Sequence, residues 1–209
     1  MIEAHWLLFL VASVVVIATP GQDMLLVMSR SITQGSRAGL ATATGVSLAL
    51  LGHTALATAG LGALLRTSDW LFTAIKLIGA AYLLYLGLQL LLTRSAQVIA
   101  AASVPQPISR QFLTGATSNI TNPKIAIFYF AFMPQFVASG ASHPTLTILV
   151  LGIVFAGLTF LIKGPVALFA GSLAAWFRSS SSVLVWINRC SGAVMVGLAM
   201  RLALSSRDT

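Results

Sequence analysis

The chain has 209 residues, 57% of them hydrophobic and 8% charged, whereas a water-soluble domain carries roughly a quarter charged residues. This composition excludes an ordinary soluble domain and predicts an all-α, polytopic membrane protein. The net charge of +8, from 12 Lys and Arg against 4 Asp and Glu, comes without a basic run interleaved with aromatics. It is therefore assigned to cytoplasmic loops facing anionic lipid, and no nucleic acid is expected as a partner.

Cys190 is the sole cysteine, so neither an intramolecular disulfide nor a cysteine-based metal cluster is expected. The stretch Met1-Ile-Glu-Ala-His5 has no basic leader character. The first apolar run is accordingly predicted to be a retained span and not a cleaved signal.

A spanning helix needs roughly 20 apolar residues. Six stretches qualify: 6–28, 39–65, 70–92, 112–137, 146–173 and 183–204. Asn188 and Arg189 interrupt the last early, and Arg189 is expected to snorkel toward the interface. The gap 93–111, with Pro105 and Pro107, is the longest polar stretch. It divides one transmembrane domain, residues 1–209, into repeat one at about 1–92, a cytoplasmic linker at about 93–111 and repeat two at about 112–209. Three spans per half invert the second half relative to the first. The predicted architecture is six transmembrane helices as two inverted three-helix repeats.

Arginines set the orientation. Arg30, Arg37, Arg94, Arg110 and Arg178 follow the odd-numbered spans, against Arg66, Arg201 and Arg207 on the other side. The first group is expected in the cytoplasm and both termini outside, in the periplasm of a bacterial inner membrane. Gly35 to Gly45, and Gly164 with Gly171 on one face of the fifth helix, are read as helix-packing positions.

Two polar breaks carry the functional signal. In Thr19-Pro20-Gly21-Gln22-Asp23, Thr19 is placed as an N-cap and Pro20 as the first helical residue, with Gln22 completing a capping box. In Thr121-Asn122-Pro123-Lys124, Asn122 caps and Pro123 opens the helix. Paired interruptions of this kind, one per half, point to a transport site near the bilayer midplane.

Asp23 is the one acidic residue expected at membrane depth, since Glu3, Asp69 and Asp208 fall at ends or in loops. An ionised carboxylate in hydrocarbon costs at least about 2.5 kcal/mol. Asp23 therefore lines a wet cavity, pairs with a cation or titrates. The competing reading is a helix-start carboxylate near the interface, about 26 Å along a straight helix from Trp6. Lys124 and Lys163 are candidate partners for Asp23, and Lys124 could instead snorkel, as Lys76 is expected to. His53 falls mid-span, either as a proton relay or as a neutral imidazole bonded to a neighbouring carbonyl or hydroxyl. Asn119 and Asn122 bring amides to the second break, for a substrate or for backbone freed by Pro123.

These parts suit a zwitterionic amino acid. Free N–H groups at restarting helices would take its carboxylate, and Asp23 its ammonium. Rocking one half against the other would give alternating access. No cofactor is expected. A metal-cation transporter would need more oxygen or nitrogen ligands than Asp23, His53, Asn119 and Asn122 provide. A membrane enzyme would need paired carboxylates, a His-Glu-x-x-His cluster or a nucleophile elbow, and the chain has none of them.

Several stretches resemble the LysE/RhtB family of bacterial amino-acid exporters. They are Thr19 to Val27 with Ser29 to Leu40, Lys76 to Gly87, Asn122 to Phe136 and Asn188 to Leu198. The resemblance implies six helices, an inner-membrane location, efflux of amino acids or derivatives driven by the proton motive force, and dimers. Two departures stand out. Gln22 replaces the second proline of the family's Pro-Gly-Pro, and Lys163 adds a cation to the site.

Overall fold

The structure is a computed structural model that describes residues 4–67, 69–93, 104–138, 141–179 and 181–204. Arg94, Arg207, Glu3 and Asp208, and the side chains of Arg66, Asp69 and Arg178, lie outside the described residues. The described chain is helical apart from short connections and one isolated antiparallel bridge, Ala4 to Val137.

The first predicted span is two helices, α1 (Trp6–Ala18) and α2 (Gln22–Gln34), bent by 51° across the break. Gly35 ends α2 at φ +89°, a left-handed conformation that a residue without Cβ adopts cheaply. Helix α3 (Ser36–Thr67) and helix α4 (Asp69–Leu92) follow. The fourth predicted span is also broken. Helix α5 (Ile108–Ile120) stops before the second break, and α6 (Pro123–Ile127) restarts after it. From there the chain runs through a π-helical turn, Phe128–Phe132, and a 3-10 turn, Met133–Phe136.

The fifth predicted span, 146–173, is not one helix. Helix α7 (Pro144–Leu168), with Pro165 in its last turn, gives way at Phe169 to α8 (Ala170–Ser179). Gly164 and Gly171 thus sit on different helices and share no face. Helix α9 (Ser181–Leu204) passes through Asn188 and Arg189 without interruption. The helix turns Asn188 inward, buried, and Arg189 outward.

Four stretches are long and apolar enough to cross a membrane: Ser36–Gly60, Thr73–Leu92, Pro144–Leu168 and Ser182–Leu204. The bent pair α1 and α2 makes a fifth if it is one span. The segment from Ile108 to Phe136 is not among them: its helices are short, 13 residues in α5 and 5 in α6, and α5 is polar. Its inner face packs on α3, so lipid need not solvate it.

Packing follows small residues. A Cβ on Gly45 would lie 2.0 Å from the Phe112 carbonyl oxygen, and one on Gly115 2.2 Å from that of Thr42. Helices α3 and α5 therefore touch backbone to backbone. The other main pairings are α3 on α7 and α4 on α9. On the side of the breaks where α1 begins, an aromatic layer fills the core. Phe128 stacks on Phe155 with centroids 4.6 Å apart, and Phe136 meets Phe9 and Phe132 edge-on at 5.3 and 4.9 Å. The His5 amide donates to the Phe136 carbonyl at 2.8 Å, tying the start of α1 to the end of the 3-10 turn. At the opposite end, Gln34 accepts from the Gln106 amide and from Gln111 Nε2, at 2.9 and 2.6 Å. That end therefore gathers the close of α2 and the start of α5.

Candidate functional site

The proline at each break leaves a carbonyl of the preceding helix stranded. In a continuing helix the Val16 carbonyl would receive the N–H of residue 20, but Pro20 has none. Lys124 Nζ reaches across from the other half and donates to it at 3.0 Å. In the same way Pro123 cannot serve the Asn119 carbonyl. That oxygen takes the Asn122 amide at 3.0 Å and faces His53 Nε2 at 3.3 Å. A carbonyl only accepts, so Nε2 carries the hydrogen. His53 Nδ1 is buried without a partner, and the ring stacks on Tyr129.

At the first break the N-cap is not the residue that the sequence predicts. Thr19 caps the end of α1: its hydroxyl returns to the Val15 carbonyl. Extended Gly21 is the N-cap of α2 and contributes no side-chain bond, so Gln22 is its first residue and no capping box forms. Gln22 Nε2 turns instead to Ser118, 3.3 Å from its carbonyl and 3.2 Å from its hydroxyl. The second break follows expectation. Asn122 caps α6, its Oδ1 accepting from the Lys124 amide at 3.1 Å, with Pro123 in the first turn.

Asp23 is 4% exposed and sits in the first turn of α2. All its bonded donors come from the second half. Ser118 Oγ donates to Oδ1 at 2.9 Å, and Asn119 Nδ2 and Asn122 Nδ2 donate to Oδ2 at 2.9 and 3.1 Å. Charge-assisted bonds of this kind are roughly twice as strong as neutral ones. They explain how a carboxylate survives at this depth.

Asp23, Asn119, Asn122, Lys124, Thr159 and Lys163 line one enclosed chamber. It leaves about 10 Å³ for the centre of a water molecule, room for about one water. Beside it lies a larger vestibule, about 340 Å³ by the same measure. Thr19, Gly21, Asn122 and Lys124 border both spaces. The vestibule's far wall is α4, through Tyr82, Leu86, Gln89 and Leu90, with Met195 from α9. It reaches Thr93, just past the end of α4.

The structure thus brings together Thr19, Gly21, Asp23, Asn119, Asn122, Lys124 and Lys163. Pro20, Gln22 and Pro123 line the vestibule. His53 stands behind Asn119 and lines neither space. Lys124 does not snorkel, because its ammonium is held on Val16. Lys163 and Asp23 share the chamber without forming an ion pair.

Ser118, Thr159 and the Val16 carbonyl were not singled out from sequence. Val16 had a signal: it lies four residues before Pro20. Ser118 adjoins Asn119 at the end of a polar helix, but nothing local shows that it aims at Asp23.

The family model described as LysE type translocator matches residues 14–206. A leucine efflux protein of Klebsiella pneumoniae is 30% identical over 203 residues, 95% of this chain and 94% of the relative. A leucine efflux protein of Salmonella typhimurium is 30% identical over 202 residues, 93% of this chain and 92% of the relative. An uncharacterized membrane protein of Vibrio cholerae is 32% identical over 200 residues, with 95% and 96% covered. No solved structure matches the chain. The chain belongs to the LysE-type translocator family.

Proposed function

We propose that this protein is a secondary active exporter of amino acids or amino-acid derivatives across the bacterial inner membrane, driven by the proton motive force. The observation that carries the proposal is the closure of each break by the other half. Asp23 is held by Ser118, Asn119 and Asn122, and Val16 by Lys124, around a buried polar chamber. A purely structural membrane protein has no use for two such interruptions. The leucine efflux relatives support an amino acid as cargo.

In this reading the chain spans the membrane six times, with α1–α2 and α5–α6 each forming one broken span. The halves are inverted repeats. Gly21 and Asn122 are the N-caps of the restarting helices, and 101 residues separate them, as they do Asp23 and Lys124. The end bearing Arg30, Arg37 and Arg110 faces the cytoplasm, and the termini face the periplasm. A groove along α2 and α5, lined by Gln22, Ser29, Arg110, Thr114 and Thr117, leads from the breaks toward that end. The vestibule opens the same way, and the aromatic layer closes the other side. The conformation is therefore inward-open, ready to load cytosolic substrate.

Asp23 receives the substrate ammonium and is the proton-coupling carboxylate. His53 completes the second break. Two copies associate as a homodimer in the lipid bilayer. The test is counterflow of a panel of labelled amino acids in proteoliposomes, with and without an imposed pH gradient. Accumulation that follows the gradient is the expected result. Absence of transport for every amino acid would refute the assignment.

A further inference from the structure

Lys163 is the one chamber cation whose charge goes unanswered. It is 5% exposed, on α7, and among the described residues it donates no hydrogen bond and meets no carboxylate at ion-pair distance. It lies within electrostatic range of both Asp23 and Lys124. Three donors hold Asp23 and leave it room for one more, the substrate ammonium, and the Val16 carbonyl holds Lys124. The chamber therefore has two ammonium groups against one carboxylate. A buried ammonium without a partner costs several kcal/mol, so an anion that enters here gains what Lys163 lacks.

We propose that Lys163 binds the substrate carboxylate and that the vestibule selects substrates with an uncharged, aliphatic side chain. This rests on the amino-acid exporter reading above and names its substrate class. The chamber admits about one water, so a bound carboxylate draws chamber and vestibule into one space. Lys124 borders both and forms the partition between them. The side chain then lies in the vestibule against Leu86, Leu90 and Met195. Among the described residues no acidic side chain lines that wall, and Lys124 stands at its inner end, so a lysine or arginine side chain would meet a like charge and no partner.

The test uses the full-length protein in proteoliposomes, with labelled leucine as probe. Leucine, leucinamide, 4-methylpentanoate and lysine serve as unlabelled competitors. In the wild type, leucine should compete fully and 4-methylpentanoate more weakly, since it lacks the ammonium that Asp23 receives, while leucinamide and lysine should be at least tenfold weaker. Lys163→Met should raise the leucine KM at least tenfold and abolish the preference for leucine over leucinamide, and Lys163→Arg should keep that preference. Equal competition by leucinamide in the wild type would overturn the proposal even if Lys163→Met failed to fold. So would a Lys163→Met variant with an unchanged KM. A normal leucine KM in the Asp23→Asn/Lys163→Met double variant would also overturn it, because Lys163 would then answer Asp23 and not substrate. Transport without discrimination sinks this inference alone. No transport of any amino acid sinks the exporter reading with it.

Discussion

Asp23 and Lys124 occupy the same register in the two halves. Each is two residues past an N-cap, Gly21 for one and Asn122 for the other. Each reaches into the opposite half: Asp23 accepts from Ser118, Asn119 and Asn122, and Lys124 donates to Val16. Opposite charges at equivalent positions make the two breaks interdependent.

Removing the carboxylate should therefore damage both stability and transport. In Asp23→Asn, the amide oxygen can still accept from Asn119 and Asn122, but the charge is lost and the NH2 group faces Ser118 Oγ, which now must accept. Bonds to a charged acceptor contribute about 1.5–3 kcal/mol each. We expect a clear fall in thermal midpoint in detergent and at least a tenfold loss of amino-acid counterflow. Unchanged transport with unchanged pH dependence would make Asp23 scaffolding.

The Val16 carbonyl offers a double-mutant cycle. Lys124→Met should leave it buried and unbonded, at a cost of about 1–3 kcal/mol. Pro20→Ala restores the N–H that a continuing helix would supply. The double variant should thus be more stable than the sum of the single changes implies. Strict additivity in unfolding free energy would show that Lys124 is not serving that carbonyl.

His53 is placed as a cap for the Asn119 carbonyl. A glutamine amide can donate in the same direction, and leucine cannot. His53→Gln should transport with a near-normal pH profile, while His53→Leu should lose about 1–3 kcal/mol of stability. A flattened pH profile in His53→Gln would assign the imidazole to proton movement instead.

The crossing of α3 and α5 leaves no room for a methyl group. Gly115→Ala would set a Cβ against the Thr42 carbonyl, where rigid backbone must shift. Overpacking of this kind typically costs about 1–3 kcal/mol. Gly157, with open space beside it, is the matched control. Thermal unfolding of Gly115→Ala and Gly157→Ala should separate them clearly.

Orientation can be read by labelling. On a Cys190→Ser background, Thr93→Cys lies at the end of α4 and borders the vestibule. It should react with an impermeant maleimide in inside-out vesicles and not in right-side-out ones. The reverse pattern would invert the topology.

Much of this was legible in the sequence because prolines and polar residues are rare in apolar helices and each has a local consequence. Pro20 and Pro123 marked both breaks, and Asn122 declared itself as a cap. Thr19 misled because its hydroxyl can serve the helix before it as well as the one after, and only the extended backbone of Gly21 decides between them. The polar face of α5 blurred the fourth span, since burial against α3 does for it what apolar side chains do elsewhere. The split of the fifth span at Phe169 carries no distinctive local pattern. Lys163 was visible as a buried charge, but its lack of a partner is a property of three dimensions.

The bond from Lys124 to Val16 also bears on how the protein is made. More than a hundred residues separate donor and acceptor, so the first helices must enter the bilayer well before their missing cation is synthesised. Until it arrives, the nascent chain holds a bare carbonyl and a charged aspartate in lipid. A product truncated before Asn119 could never mature, and the cell's membrane proteases should clear it. Two separately encoded halves would be stable only when produced together.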